Sequence, residues 1–255
     1  MKIKINPAYV SLFSEIKRIS VFFEQNGEFI HKGRNKVKQF HVDDKDFVIK
    51  SFKEPDFITK IKYAFLKKSK AESSYKHALI LQRKWIPTPA PIAYAEEKRR
   101  GLIAHSYYIS SYINYSGTLR ELRNAILEDK KSLIDAFVYF TAFIHEQRVL
   151  PLDYSPGNIL YEKVEGEYKF ALLDVNRMKF RRVSMRAGCY SLRRLWGKKE
   201  TIIYIARRYA QERGFNEKRV VALVLKYHTN FWERYYKKHP GFMPSIQTEQ
   251  AHLDL

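Results

Sequence analysis

The alternation of apolar and polar residues predicts a strand-rich first part of the chain. Two short runs, "KVKQFHV" and "FVIK", flank the acidic turn "DDKD" and predict antiparallel strands. Residues 66–84 contain no Gly or Pro, which predicts a helix that ends at "IPTPAP". A hairpin is predicted over residues 92–112, with "KRRG" as its turn.

The pattern becomes mainly helical after about Tyr112. In "TLRE", Thr118 and Glu121 match a capping box that would open a helix. Apolar residues spaced by three and four over 130–148 predict an amphipathic helix. We therefore predict two domains, an N-terminal one over 1–112 and a C-terminal one over 113–255.

The helix over 130–148 is followed by the loop "LPLDYSPGN" and by a second predicted hairpin. The strands of that hairpin are "ILYEKV" and "YKFALLDV", the turn is "EGE", and the hairpin ends at Asp174. Residues 186–239 are again mainly helical by pattern. The final segment, "GFMPSIQTEQAHLDL", is polar and is expected to fray.

The composition predicts a folded protein in a reducing compartment. Of 255 residues, 45% are hydrophobic and 15% aromatic, which is enough for a packed core. The single cysteine, Cys189, cannot form an internal disulfide. The N-terminus lacks the apolar core of a signal peptide, and no apolar run approaches the roughly 18 residues that span a bilayer. We expect a cytoplasmic protein, at most peripheral to a membrane.

The charge points to an anionic partner. Lys and Arg number 47 against 27 Asp and Glu, a formal net charge of +20. Nucleic acid, an acidic lipid surface and a phosphorylated substrate would all suit such an excess, and a highly soluble surface would also produce it.

Five polar residues occur in an order that suggests phosphoryl transfer. Lys50 ends a strand, Glu72 lies on the following helix, Asp153 and Asn158 share a loop with the spacing Asp-x-x-x-x-Asn, and Asp174 ends a hairpin. Protein kinases use this order: Lys for the phosphates, Glu as its partner, Asp as base, then Asn and Asp for magnesium. Each residue alone would also suit a turn, a cap or a solvated surface. The combination favours the catalytic interpretation.

Several motifs resemble those of the bacterial lipopolysaccharide core kinases, relatives of the Kdo and heptose kinases in the protein-kinase-like superfamily. They are "VIKSF", "SKAESSYKHAL", "IPTPAPIAY", "SYYISSYI", "LDYSPGNILY" and "LLDVNRMKF", within about residues 25–200. The resemblance implies an α+β, bilobal protein-kinase-like fold. Its N-terminal lobe would hold an antiparallel sheet plus one helix, and its C-terminal lobe would be mainly helical.

The resemblance also assigns roles to the residues that match. The cofactors would be ATP and Mg²⁺, and adenine would bind backbone groups near Ser111 and Ile113. By the same resemblance, Lys50 would bind the phosphates and Glu72 would form an ion pair with Lys50. Asp153 would be the catalytic base, and Asn158 and Asp174 would bind magnesium.

The sequence departs from the usual kinase pattern at four points. There is no Gly-x-Gly-x-x-Gly, so the phosphates would be covered by "KGRN" or by side chains such as Lys32 or Arg34. Pro151 stands where a histidine is usual. Asn176 replaces the glycine of Asp-Phe-Gly and is expected to adopt its left-handed backbone. No Ala-Pro-Glu follows, which argues against a protein kinase with a peptide-docking platform.

A basic segment follows Asp174. Residues 177–199 hold nine Lys or Arg and no acid. They would attract an anionic glycolipid and repel a basic peptide. The expected acceptor-binding residues are Arg177, Arg181, Arg182 and Arg186. The segment "KIKYAFLKKSK" at 60–70 also suits an anionic membrane surface.

The favoured function is phosphorylation of a Kdo or heptose hydroxyl of the lipopolysaccharide inner core, at the cytoplasmic face of the inner membrane. A soluble small-molecule phosphotransferase, a kinase-like scaffold without catalysis and a basic nucleic-acid-binding protein remain alternatives. Nucleic acid is the less expected partner, because no nucleic-acid motif accompanies the charge. No obligate protein partner is expected.

Overall fold

Contacts in the computed structural model divide the chain into two units. The first comprises residues 1–114 and 174–177, and the second comprises 115–173 with the chain from 178 onward. The structure describes residues 1–42, 44–65 and 67–240, without the side chains of Lys62, Ala64 and Phe65. The C-terminal segment expected to fray therefore lies outside the described residues.

A six-stranded antiparallel sheet forms the first unit, in the order β1-β5-β6-β4-β3-β2. Both hairpins predicted for this part are confirmed, and the second turns at Arg100 and Gly101, which both have positive φ. The strands are β1 Lys2–Ile5, β2 Glu28–Lys32, β3 Lys36–Val42, β4 Lys45–Phe52, β5 Pro91–Arg99 and β6 Leu102–Ser111.

The helices of the first unit outnumber the single predicted one. The prediction over 66–84 corresponds to α4, which begins at Lys70 because Ser69 caps it, its Oγ accepting from the amide of Glu72 at 3.0 Å. The helices are α1 Phe13–Lys17, α2 Ile19–Gln25, α3 Phe57–Phe65 and α4 Lys70–Arg83, with a 3₁₀ helix over Pro7–Leu12.

The unpredicted helices α1 and α2 build the core of the first unit with one face of the sheet. Their residues Ile16, Ile19 and Phe23 pack in one buried cluster with sheet residues such as Phe40 and Ile49. Burying these apolar side chains stabilises helices that are too short to be stable alone.

Lys38, on β3, joins the sheet to the end of α2. Although nearly fully buried, its ammonium donates to the carbonyls of Phe23 at 2.7 Å and Asn26 at 2.9 Å. Carbonyls at the end of a helix lack partners within it and carry partial negative charge, so the ammonium satisfies them.

The second unit contains the longer helices and two small sheets, ordered β10-β9-β7 and β11-β8. The amphipathic helix and the second hairpin are confirmed as α5 and β9–β10. The elements are β7 Gly117–Thr118, α5 Leu127–Glu146, β8 Val149–Pro151, β9 Ile159–Val164, β10 Glu167–Leu172, β11 Met178–Phe180, α6 Met185–Ser191, α7 Lys199–Glu212 and α8 Glu217–Lys238.

The predicted capping box at Thr118 opens only a 3₁₀ helix. That helix covers Leu119–Arg123, and Thr118 Oγ1 accepts from the amide of Arg120 at 3.3 Å. In a capping box, Thr118 Oγ1 would instead accept from the backbone amide of Glu121. Glu121 instead forms an ion pair with Lys130 at 3.1 Å.

A buried polar network ties three parts of the second unit together. His145 Nδ1 on α5 lies 2.9 Å from the hydroxyl of Tyr209 on α7, and His145 Nε2 lies 3.3 Å from Ser191 Oγ on α6. Burial lowers the pKa of His145 to about 3, so the imidazole is neutral in the folded protein.

Across the described residues, no helix has the length and hydrophobicity needed to cross a membrane.

Candidate functional site

Lys50 and Asp174 form an ion pair within the first unit. Strand alternation places Phe47 and Ile49 in the core on one face of β4 and Lys50 on the other. Lys50 Nζ lies 2.6 Å from Asp174 Oδ1. The pair joins the expected phosphate-binding lysine to the expected principal metal ligand.

Asp174 itself carries the left-handed backbone of its turn. Its φ is 49°, whereas Asn176 is not among the residues with positive φ. The expectation that Asn176 would replace a left-handed glycine is therefore wrong. Asn176 donates its side-chain amide to Asp174 Oδ1 instead, a local hydrogen bond that helps to orient the carboxylate.

The predicted ion pair between Lys50 and Glu72 is not formed. Glu72 accepts from Lys2 on β1 at 2.9 Å and from Lys76 one turn further along α4. Lys2 also lies 3.5 Å from Glu96. Burial by itself would raise the pKa of Glu72, but the hydrogen bonds from Lys76 and Lys2 lower it overall, so Glu72 is ionised. The acid expected to orient Lys50 anchors the start of α4 to the edge strand.

Lys70, which the sequence analysis missed, adds a cation near Asp174. Burial is the main cause that lowers the pKa of Lys70, and the positive charges of Arg34 and Lys50 lower it further. The negative charge of Asp174 acts in the opposite direction. Lys70 and Arg34 also line one pocket of about 320 Å³. The available signal was its position in "KKSK", just before Glu72.

The two candidates for phosphate cover differ in their surroundings. Arg34 lies in the pocket with Lys70, whereas the Lys32 ammonium lies over the ring of Phe29 at 4.3 Å. Arg34 is therefore the better placed of the two for a phosphate.

The expected adenine-binding stretch follows β6. The amide of Ser111 donates to the carbonyl of Ala90 at 2.9 Å, and that of Tyr112 donates to the backbone carbonyl of Asp46 at 3.1 Å. These amides serve the sheet, which leaves Ile113 as the better candidate of the predicted pair.

Asp153 lies in the second unit, on a loop held by two consecutive arginines. Arg194 Nη1 lies 2.7 Å from Asp153 Oδ1, and Arg193 Nη2 donates to the carbonyl of Leu152 at 3.3 Å. The adjacent Tyr154 is buried under α5, with its hydroxyl 2.9 Å from Thr141 Oγ1. Packing and hydrogen bonds thus fix both sides of Asp153 although Pro151 replaces the usual histidine.

Asn158 closes the same loop. Its side-chain nitrogen donates to the Asp153 carbonyl at 3.2 Å and to Ser155 Oγ at 3.0 Å. These bonds use the donor end of the amide and leave its oxygen as the group that could bind a metal. The carbonyl of Asn158 accepts from Leu173, the residue before Asp174.

The ligand chemistry of Asn158 and Asp174 fits magnesium. One amide oxygen and one carboxylate are hard donors, and Mg²⁺ commonly takes few protein ligands and completes its shell with water and phosphate oxygens. Within the described part of the chain, no group of three or more His, Cys, Asp or Glu forms a metal site by itself. Each of the two side chains therefore offers a donor that suits Mg²⁺.

The four arginines expected at the acceptor fall into different places. Arg177 belongs to the first unit with Asp174, and Arg182 is exposed on the second unit. Arg181 and Arg186 line a pocket of about 400 Å³ in the second unit, together with Lys179 and Arg193. We call it the basic pocket.

Comparison with known proteins identifies the fold. No family model matches the sequence, and no curated protein matches it. The solved structure of WaaP in complex with acyl carrier protein is similar, with a TM-score of 0.61 over 92% of this chain and 100% of that chain, at 14% identity. The chain has a protein-kinase-like fold. The predicted α+β architecture is confirmed, with α1–α3 as additions to the first unit.

Proposed function

We propose that this protein is an ATP-dependent kinase that phosphorylates a Kdo or heptose hydroxyl of the lipopolysaccharide inner core. The observation that carries the proposal is the ion pair between Lys50 and Asp174, at 2.6 Å, in a protein-kinase-like fold. This pairing of a lysine and an aspartate from distant parts of the chain supports the proposed roles of Lys50 at the phosphates and Asp174 at the metal.

Each of the proposed site residues would have a separate role in phosphoryl transfer. Mg²⁺, held by Asn158 and Asp174, would offset the negative charge of the phosphates. Lys50 would bind phosphate oxygens and align them. Asp153 would accept the proton of the acceptor hydroxyl as its oxygen bonds to the γ-phosphorus and the bond from that phosphorus to the bridging oxygen breaks. Arg194 orients Asp153 before the acceptor arrives.

The proposed acceptor class follows from charge and from the motifs. The basic segment 177–199 suits an anionic sugar and disfavours a cationic small molecule or a basic peptide. The motifs around Asp153 and Asp174 resemble those of lipopolysaccharide core kinases. Such an acceptor would be met at the cytoplasmic face of the inner membrane, where anionic lipids attract a protein of this charge.

The test is transfer of radiolabelled γ-phosphate from Mg·ATP to Kdo-lipid A by the purified protein. Asp153→Asn is expected to reduce transfer by about 100-fold or more, because a positioned base contributes at least that much. Asp129→Asn is the matched control, because Asp129 is an exposed aspartate at the start of α5 in the same unit.

Two results would contradict the proposal in different ways. If wild type binds Mg·ATP but transfers nothing to Kdo-lipid A, the acceptor assignment is wrong and a soluble acceptor should be sought. If wild type is folded and binds no nucleotide, the kinase assignment is wrong, and a scaffold or a nucleic-acid-binding role replaces it.

A further inference from the structure

The basic pocket is strongly cationic. Lys179, Arg181, Arg186 and Arg193 line it with no acidic residue, alongside uncharged residues such as Leu152 and Tyr190. Within the described part of the chain, Lys179, Arg181 and Arg186 have no carboxylate within 4 Å. Three cations brought together without counter-charges repel one another, and an anion among them would remove that repulsion.

Arg193 has a different role from the other three cations. Its guanidinium lies over the ring of Tyr190 at 3.8 Å, and it donates to the carbonyls of Tyr190 at 2.7 Å and Leu152 at 3.3 Å. These contacts fix Arg193 as part of the pocket wall. Lys179, Arg181 and Arg186 remain to contact a ligand.

The volume of the pocket suits more than a simple ion. About 400 Å³ lies in the range of small-molecule sites and exceeds what a single phosphate fills. Leu150, Leu152 and Tyr190 supply an apolar wall on which the C–H groups of a sugar ring can pack. The lining therefore suits a sugar that carries an anionic group.

The pocket lies beside the proposed base. Leu152 lines it and is joined by a peptide bond to Asp153, while Arg193 and the adjacent Arg194 hold these two residues. A ligand in the pocket would thus contact the residue that directly precedes the proposed base.

We infer that the basic pocket binds a carboxylate or phosphate already present on the acceptor sugar, and thereby presents a nearby hydroxyl to Asp153. This inference rests on the proposed function and deepens it. The reaction that installs the anionic group must then precede the phosphorylation carried out here.

Anion binding can be measured without any turnover. The Nε–H signals of Arg181 and Arg186 would be followed by NMR while inorganic phosphate or free Kdo is added at constant ionic strength, with Arg219 as the reference. Arg219 is exposed near the start of α8 in the same unit. We expect saturable shifts at Arg181 and Arg186 and only small shifts at Arg219.

Saturation by free Kdo alone would identify a carboxylate site, and saturation by inorganic phosphate alone would identify a phosphate site. Equal shifts at all three arginines would overturn the inference.

Kinetics would connect the pocket to the acceptor. Arg181→Gln/Arg186→Gln is expected to raise the KM for Kdo-lipid A by about tenfold or more, because hydrogen bonds to charged groups are worth about that factor each. The KM for ATP should be unchanged. Lys218→Gln/Arg219→Gln removes the same charge from an exposed position and is expected to leave both constants unchanged.

The two measurements separate this inference from the proposed function. Saturable shifts at Arg181 and Arg186 without phosphoryl transfer would keep the anion site and reject Kdo-lipid A as acceptor. Transfer by wild type with an unaltered acceptor KM in Arg181→Gln/Arg186→Gln would keep the kinase and overturn the inference.

Discussion

At the scale of single residues, Asp174 and Glu72 form ion pairs that the order of the motifs did not predict. Lys50 contacts Asp174, and Glu72 contacts Lys2. The order of motifs predicted candidate catalytic residues, because catalytic residue types recur at fixed places in a fold. It could not predict the ion pairs, because Lys2 and Glu72 are 70 positions apart and meet only after β1 joins the sheet.

Because Lys50 pairs with Asp174 and Glu72 pairs with Lys2, substitutions of Lys50 and of Glu72 should have unequal effects. Lys50→Met should reduce phosphate transfer by about 100-fold or more, because it removes a charge that acts on the phosphates. Glu72→Gln should reduce transfer only a few-fold, because its charge offsets Lys2 and Lys76. Initial rates and nucleotide affinity, measured for both variants, would check this.

A conservative variant serves as the control. Lys76→Gln removes one partner of Glu72 and is expected to resemble Glu72→Gln in rate. If Glu72→Gln proves as damaging as Lys50→Met, then Glu72 exchanges Lys2 for Lys50 when nucleotide binds.

At the scale of elements, long periodic segments were predicted well and short ones were not. The pattern located α4, α5 and the hairpins, because many residues repeat the same signal. It did not locate α1 and α2, which have five and seven residues and form on the sheet they cover. Lys70 was missed for a similar reason, because its neighbours come from several elements.

The contact between α6 and α7 gives a prediction about packing. A methyl group at Gly188 would lie 2.0 Å from the hydroxyl of Tyr209, which is fully buried and bonded to His145. Gly188→Ala should therefore lower the free energy of unfolding by about 1–3 kcal/mol, since the ring cannot move away. Urea unfolding measures the change.

Removing the hydroxyl provides a direct check of that cause. In a Tyr209→Phe background the nearest remaining ring atom would be 3.0 Å away, so Gly188→Ala should cost less there. Equal costs in both backgrounds would mean that the helix backbone, and not this contact, determines the effect.

At the scale of the whole molecule, two buried histidines should make stability depend on pH. Burial lowers the pKa of His145 to about 3 and that of His228 to about 4. Because the unfolded chain has the ordinary pKa near 6.5, it binds protons that the folded protein does not. Stability should be fully present above pH 6.5 and fall toward pH 4, by about 1.4 kcal/mol per pH unit for each imidazole.

Urea unfolding at several pH values would measure this slope. His228→Gln removes one titrating group and can still donate to the Leu195 carbonyl, which His228 Nε2 contacts at 3.1 Å. It should reduce the slope, whereas His105→Gln, at an exposed position on β6, should leave it unchanged. A slope that does not respond to His228→Gln would assign the pH dependence to other groups.

The fold as a whole was the most predictable level. The order of the polar residues, together with the resemblance of the motifs to lipopolysaccharide core kinases, predicted a protein-kinase-like fold that the likeness to WaaP bears out. The grouping of residues 174–177 with the first unit could not be predicted, because a short segment changes unit without any break in the apolar pattern.

The buried ammonium of Lys38 has a consequence for how the first unit unfolds. Detaching α2 from the sheet would break the hydrogen bonds of this ammonium and expose the core residues of the sheet that α2 covers, such as Phe40 and Ile49. The sheet could therefore not keep its structure after losing α2. Helix and sheet should open together, as one cooperative block, even though the pattern of the sequence shows them as unrelated segments.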